Sequence, residues 1–147
     1  MKPHVGIWHG TFVARNVAFP VSITLEEVND DGTLYGRFEV STANWEGPNN
    51  GEFQNGSYSA FGTIHLEQEN EVAGKTYHDR IKFDGRFDVP DKSVGAIWGT
   101  VVVSHQEPGS KPTDITTGTL AAVFSGAKLP KGILFDNVWD DGQSPAK

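Results

Sequence analysis

The chain has 147 residues, with 12 Lys and Arg against 19 Asp and Glu and no cysteine. That length suits one domain, 1–147, with a single core, and the absence of thiols excludes disulfides and thiolate metal sites. A net charge of −7 with the basic residues scattered singly argues against nucleic acid, whose phosphate backbone calls for clustered Lys and Arg.

The opening residues, 1–8, lack the apolar run of a signal peptide. No stretch approaches the ~20 apolar residues of a membrane-spanning helix. The expectation is a cytoplasmic protein with no membrane span.

Helical periodicity is almost absent along the chain. Period-two alternation recurs instead, broken by Gly, Asn, Asp and Pro, which is the pattern of strands and turns. The first strand is predicted over residues 4–15, with Trp8, Gly10 and Phe12 on one face. After a turn near Asn16, Val21, Ile23 and Leu25 alternate with Ser22, Thr24 and Glu26. Residues 29–32 read Asn-Asp-Asp-Gly, a hairpin turn because Asn and Gly accept positive φ. The return strand aligns Leu34, Gly36, Phe38 and Val40.

Residues 43–50 read as a loop carrying Trp45. One strand is predicted over 56–69, with Tyr58, Ala60, Gly62, Ile64 and Leu66 sharing a face. The next, over 75–89, aligns Tyr77, Asp79, Ile81, Phe83, Gly85 and Phe87. A turn at 90–93 leads to a strand whose inward face is read as Val94, Ala96, Trp98, Thr100 and Val102, leaving Ile97, Val101 and Val103 outside. A loop over 105–112, a strand over 114–125, a short strand within 133–139 and a frayed tail over 140–147 complete the pattern.

Strands joined by short turns predict an all-β fold, a single antiparallel up-and-down barrel of about eight strands. Closure removes the exposed edges of so long a sheet, and eight strands leave an interior for side chains or one small ligand. A two-sheet sandwich would use the same strands.

Gly6-Ile7-Trp8 resembles the Gly-x-Trp that opens the calycin barrels, the lipocalins, fatty-acid-binding proteins and avidins. The resemblance implies that Trp8 closes one barrel end, covered by a basic side chain such as Lys128 or Lys131. The run Asp-Gly-Thr-Leu-Tyr-Gly-Arg-Phe-Glu at 31–39, followed by Asn44, is similar to the avidin pattern, and Gly95-Ala96-Ile97-Trp98 to its Trp-bearing strand. The late strand, 116–124, carries neither the Trp nor the Asp that avidins place around biotin. What the resemblance implies is therefore architecture and not biotin binding. Residues 56–66 are similar to a strand of the allene oxide cyclase and dirigent barrels, which steer reactive intermediates without a cofactor.

The function expected first is binding of a small, largely apolar or aromatic molecule inside the barrel, in a cavity of ~300–1,000 Å³. Trp8, Phe38, Phe83 and Trp98 would form its walls, with Tyr58, Tyr77, Asp79 and Thr100 as the polar groups. Asp79 on an inward face would lose solvation and must pair, with Arg80 or Arg86 for example, or titrate upward.

Two alternatives stand beside this. One is a cofactor-free cyclase or isomerase with Asp79 and Tyr77 as catalytic groups. The other is a carbohydrate- or protein-interaction module built on the loop Trp45, so enzymatic activity is left open. The five histidines form no close ligand pair, and neither a metal nor a cofactor is expected. Ile97, Val101 and Val103, read as outward, point to a homodimer through the barrel wall.

Overall fold

The computed structural model describes residues 1–40, 50–53, 55–71, 78–107, 109–111 and 113–126. Among the described residues nine strand segments follow one another: β1 (Gly6–Ala14), β2 (Val17–Val28), β3 (Leu34–Val40), β4 (Asn50–Glu52), β5 (Asn55–Tyr58), β6 (Thr63–Glu71), β7 (His78–Asp91), β8 (Val94–Gln106) and β9 (Thr113–Gly126). All belong to one antiparallel sheet in the order β4-β3-β2-β1-β9-β8-β7-β6-β5.

The two ends of that order, β4 and β5, are consecutive pieces of one interrupted strand. β4 pairs with β3 and β5 with β6. The second piece is tied back to the β3 side by a Thr33–Ser57 bridge and by Tyr58 N–H donating to the Gly32 carbonyl at 2.9 Å. Phe53 N–H likewise donates to the Gly36 carbonyl at 2.8 Å. Counted this way, eight strands form a nearly closed up-and-down barrel, as the alternation predicts.

Turn chemistry fixes most of the register. The β1–β2 hairpin turns on Arg15 and Asn16, both at positive φ (53° and 64°), the geometry of a type I′ turn whose twist matches its strands. In the β2–β3 turn, the Asp31 carboxylate accepts from the Thr33 amide and hydroxyl at 3.0 and 2.6 Å. The strand predicted over 56–69 is instead a hairpin, β5–β6. Ser59 Oγ accepts from the Thr63 hydroxyl at 2.7 Å, and Gly62 takes φ 96°, a conformation that a Cβ disfavours.

The core is the inward row of each strand. Trp8, Phe12, Val21, Ile23, Leu25, Leu34, Phe38, Ile64, Leu66, Ile81, Phe83 and Phe87 are buried as the alternation predicts. The parity of β8 is the reverse of that expected. Ile97, Val101 and Val103 are fully buried, while Trp98 is 43% exposed and Thr100 is exposed. Register decides this: Ile97 and Val101 lie opposite Phe87 and Phe83, so they share the inward face. The homodimer expectation thereby loses its basis in Ile97, Val101 and Val103. The large apolar side chains exposed on β1, β8 and β9 are Val13, Val94, Trp98 and Val123.

One end of the barrel is closed. Trp8 lies there, its indole N–H donating to the His4 carbonyl at 3.2 Å, with the Phe124 and His4 rings packed on it at centroid distances of 5.2 and 6.2 Å. These two rings cover Trp8; Lys128 and Lys131 lie outside the described residues. Gly95 makes room for the indole, since a Cβ there would stand 2.6 Å from Trp8 Cη2.

Gly95→Ala is accordingly expected to displace a fully packed ring and to cost about 1–3 kcal/mol. Urea denaturation checks this, and an unchanged midpoint would mean that Trp8 is not wedged against β8.

Candidate ligand site in the barrel

β6 alternates Ile64, Leu66 and Gln68 inward with His65, Glu67 and Glu69 outward. The apolar row thus ends on an amide. Gln68 is 1% exposed, and neither its Nε2 nor its Oε1 has a hydrogen-bond partner among the described residues. Its surroundings are Ile23 from β2, Phe38 from β3, Phe53, Leu66 from β6, and Ile81 and Phe83 from β7. These enclose a cavity of about 10 Å³, the room one water molecule occupies. Among the described residues no charged group lines it. An amide buried without partners costs about 1–3 kcal/mol for each unpaired group, so this position carries a polar residue at the expense of stability.

The structure sorts the expected site residues into three groups. Phe38 and Phe83 line the cavity with Gln68. Trp8 and Tyr58 belong to the closed end, where the Tyr58 hydroxyl donates to the Asn29 carbonyl at 2.5 Å and its ring meets Phe87 edge-on. Both are committed to packing there. Trp98 and Thr100 stand on the outer wall, a correction that follows from the β8 register.

Trp45 and Tyr77 lie outside the described residues. So do residues 133–147, with the predicted last strand and tail. The backbone of Asp79 pairs with Asn70 and His105; its side chain lies outside the description. Arg80, offered as its partner, binds Glu69 at 2.6 Å, and Arg86 donates to the Phe61 carbonyl at 3.1 Å. The cavity beside Gln68 is far smaller than the expected hundreds of Å³. Gln68 was readable in the sequence, because continuing Ile64 and Leu66 by two residues places it inward.

A second polar group of residues occupies the outside of the same strands. Ser57, His65 and Asp84 lie side by side across β5, β6 and β7. His65 Nδ1 meets Asp84 Oδ1 at 2.6 Å and Nε2 meets Glu67 Oε2 at 3.2 Å, and Arg80 joins the chain through Glu67 and Glu69. Both imidazole nitrogens therefore face carboxylates, so Nε2 is not directed at Ser57, as a nucleophilic serine would need. Partial burial alone would lower the His65 pKa, but the hydrogen bonds and charges of Asp84 and Glu67 outweigh it and raise it above the ordinary 6.5. Burial holds His9 below that value.

Eight antiparallel strands joined in chain order around one interior define the architecture. The described strands form one nearly closed antiparallel up-and-down barrel. Among solved structures it is similar to a point variant of shwanavidin in complex with biotin, with 14% sequence identity and a TM-score of 0.46. That alignment covers 77% of this chain and 93% of that one. No protein-family model matches the chain, and no curated protein matches it. The described residues hold no helix long and apolar enough to cross a membrane.

Two outcomes follow. Gln68→Leu removes the unpaired amide and is expected to raise stability by about 1–3 kcal/mol, read as a higher denaturation midpoint; a loss of stability would mean that the amide is bonded.

The histidines predict a stability maximum near the ordinary pKa of 6.5. The His65 contribution is full below that pH and lost as pH rises through its raised folded value. The His9 contribution is full above it and lost as pH falls toward its lowered folded value. Urea midpoints across neutral pH should show both limbs, and His65→Gln should flatten the alkaline one. Stability that climbs steadily with alkaline pH would contradict this.

Proposed function

We propose that the chain binds a small, largely apolar molecule inside its barrel, with Gln68 as polar anchor and Phe38, Phe53 and Phe83 as walls. One observation carries this reading: a nearly fully buried amide without a hydrogen-bond partner among the described residues, facing an apolar cavity. Ligand sites are mostly apolar with a few placed polar groups that orient the guest, and Gln68 supplies such a group where a filled core would carry Leu or Ile.

The two ends of the barrel support a direction of entry. At the Trp8 end the connections are tight turns, at 29–33, 59–62 and 92–93, and the N-terminal residues pack across it. β3 ends and β4 begins at the opposite end, where β6 also ends and β7 begins. Room beyond one water comes from the side of Phe53. It lies between two segments that contribute only three and four paired positions, the part of the wall with the fewest ladder bonds and hence the lowest local stability.

A screen of small uncharged fragments by ¹H–¹⁵N NMR tests the reading. Binding should shift the Gln68 side-chain amide together with the amides of Phe38 and Ile81. Hits confined to the outer hollow beside Ser57, His65 and Asp84 would move the site to the wall, and the internal reading would fall.

A further inference from the structure

We infer that the guest of this cavity is an uncharged, planar molecule whose edge sets an N–H beside a C=O, as in an amide or a lactam. The inference rests on the internal binding reading above and adds the chemistry of the guest.

Gln68 is the only nearly fully buried polar side chain that faces inward among the described residues. Ser22 and Ser104 are buried too, but they pair in register with His9 and Arg80 on the outward parity. All recognition by hydrogen bonding in the described interior therefore falls to one primary amide. Its Oε1 accepts and its Nε2 donates along a single edge. An edge carrying N–H next to C=O meets both atoms at once in a ring of two hydrogen bonds. A lone hydroxyl or ether satisfies one of them and leaves the other buried and unpaired, which is the costly outcome.

Charge is excluded by the same walls. Among the described residues the cavity is lined by Gln68 with Ile, Leu and Phe side chains. A carboxylate or an ammonium would sit there desolvated and without a counter-charge, a strongly unfavourable arrangement. Planarity follows from Phe38, Phe53 and Phe83, whose faces and edges favour a flat guest over a globular one. The space beside the amide now holds one water's volume, so the polar edge seats against Gln68 while the apolar body takes up the side of Phe53.

Three probes of matched shape separate the terms: benzamide, toluene and benzoate, titrated by NMR into the full chain and into Gln68→Leu and Gln68→Met. The expected result is benzamide at least tenfold tighter than toluene despite its greater polarity, with benzoate weakest, and that preference lost in both variants. Toluene binding as well as benzamide, or a preference that survives in the variants, would overturn the amide-edge inference while leaving the internal site standing. Failure of all three to bind, with an ordered water only on Gln68, would overturn both.

Discussion

A sheet that closes on itself removes half of its side chains from water, and the rest of this molecule follows from that constraint. Every second residue of each strand must be apolar, small enough for the space available, or matched by a partner. Strand after strand complies: Ile23 and Leu25, Phe38 and Val40, Ile81 and Phe83, Val101 and Val103 are all buried. Gln68 does not comply. It occupies an inward position without, among the described residues, the partner that such a position demands, and a departure of this kind is expected where function overrides packing.

The barrel is asymmetric along its axis, and this asymmetry gives the exception its meaning. At one end the indole of Trp8, the rings of His4 and Phe124, and the missing side chain of Gly95 form a compact plug. Tyr58, bonded to the Asn29 carbonyl, belongs to the same closure. Outside the barrel, His65, Asp84, Glu67, Arg80 and Glu69 staple β6 to β7. The strand that carries Gln68 and its neighbour β7 are thus tied together on the wet side while their dry side keeps an unfilled space. The polar staple supports the wall, and the amide within is free to face a guest.

How much of this was legible depended on how cleanly the two faces of each strand differed. In β1, β2 and β3 one face is apolar and the other polar, so alternation located the strands and their inward rows. In β8 both faces are rich in β-branched and aromatic residues, and a tryptophan drew the inward assignment to the wrong row. Only pairing with Phe83 and Phe87 resolves it. The β5–β6 hairpin escaped because its turn, Ser-Ala-Phe-Gly, lacks the Asn-Gly or Asp-Gly signal and the flanking residues continue an apparent alternation. Gln68 was overlooked for a chemical reason. The ionisable candidates in the pattern are Asp79 and Tyr77, whereas the inward-facing buried polar group among the described residues is a neutral amide with no titration to betray it.

The account stands or falls on the environment of that amide, and an atomic-resolution crystal structure of the protein as purified examines it directly. The account predicts Gln68 facing inward among Phe38, Phe53 and Phe83, its Nε2 and Oε1 both engaged by a small molecule that is not part of the chain. An amide hydrogen-bonded to protein groups, or turned outward with apolar side chains closing the space behind it, would contradict it.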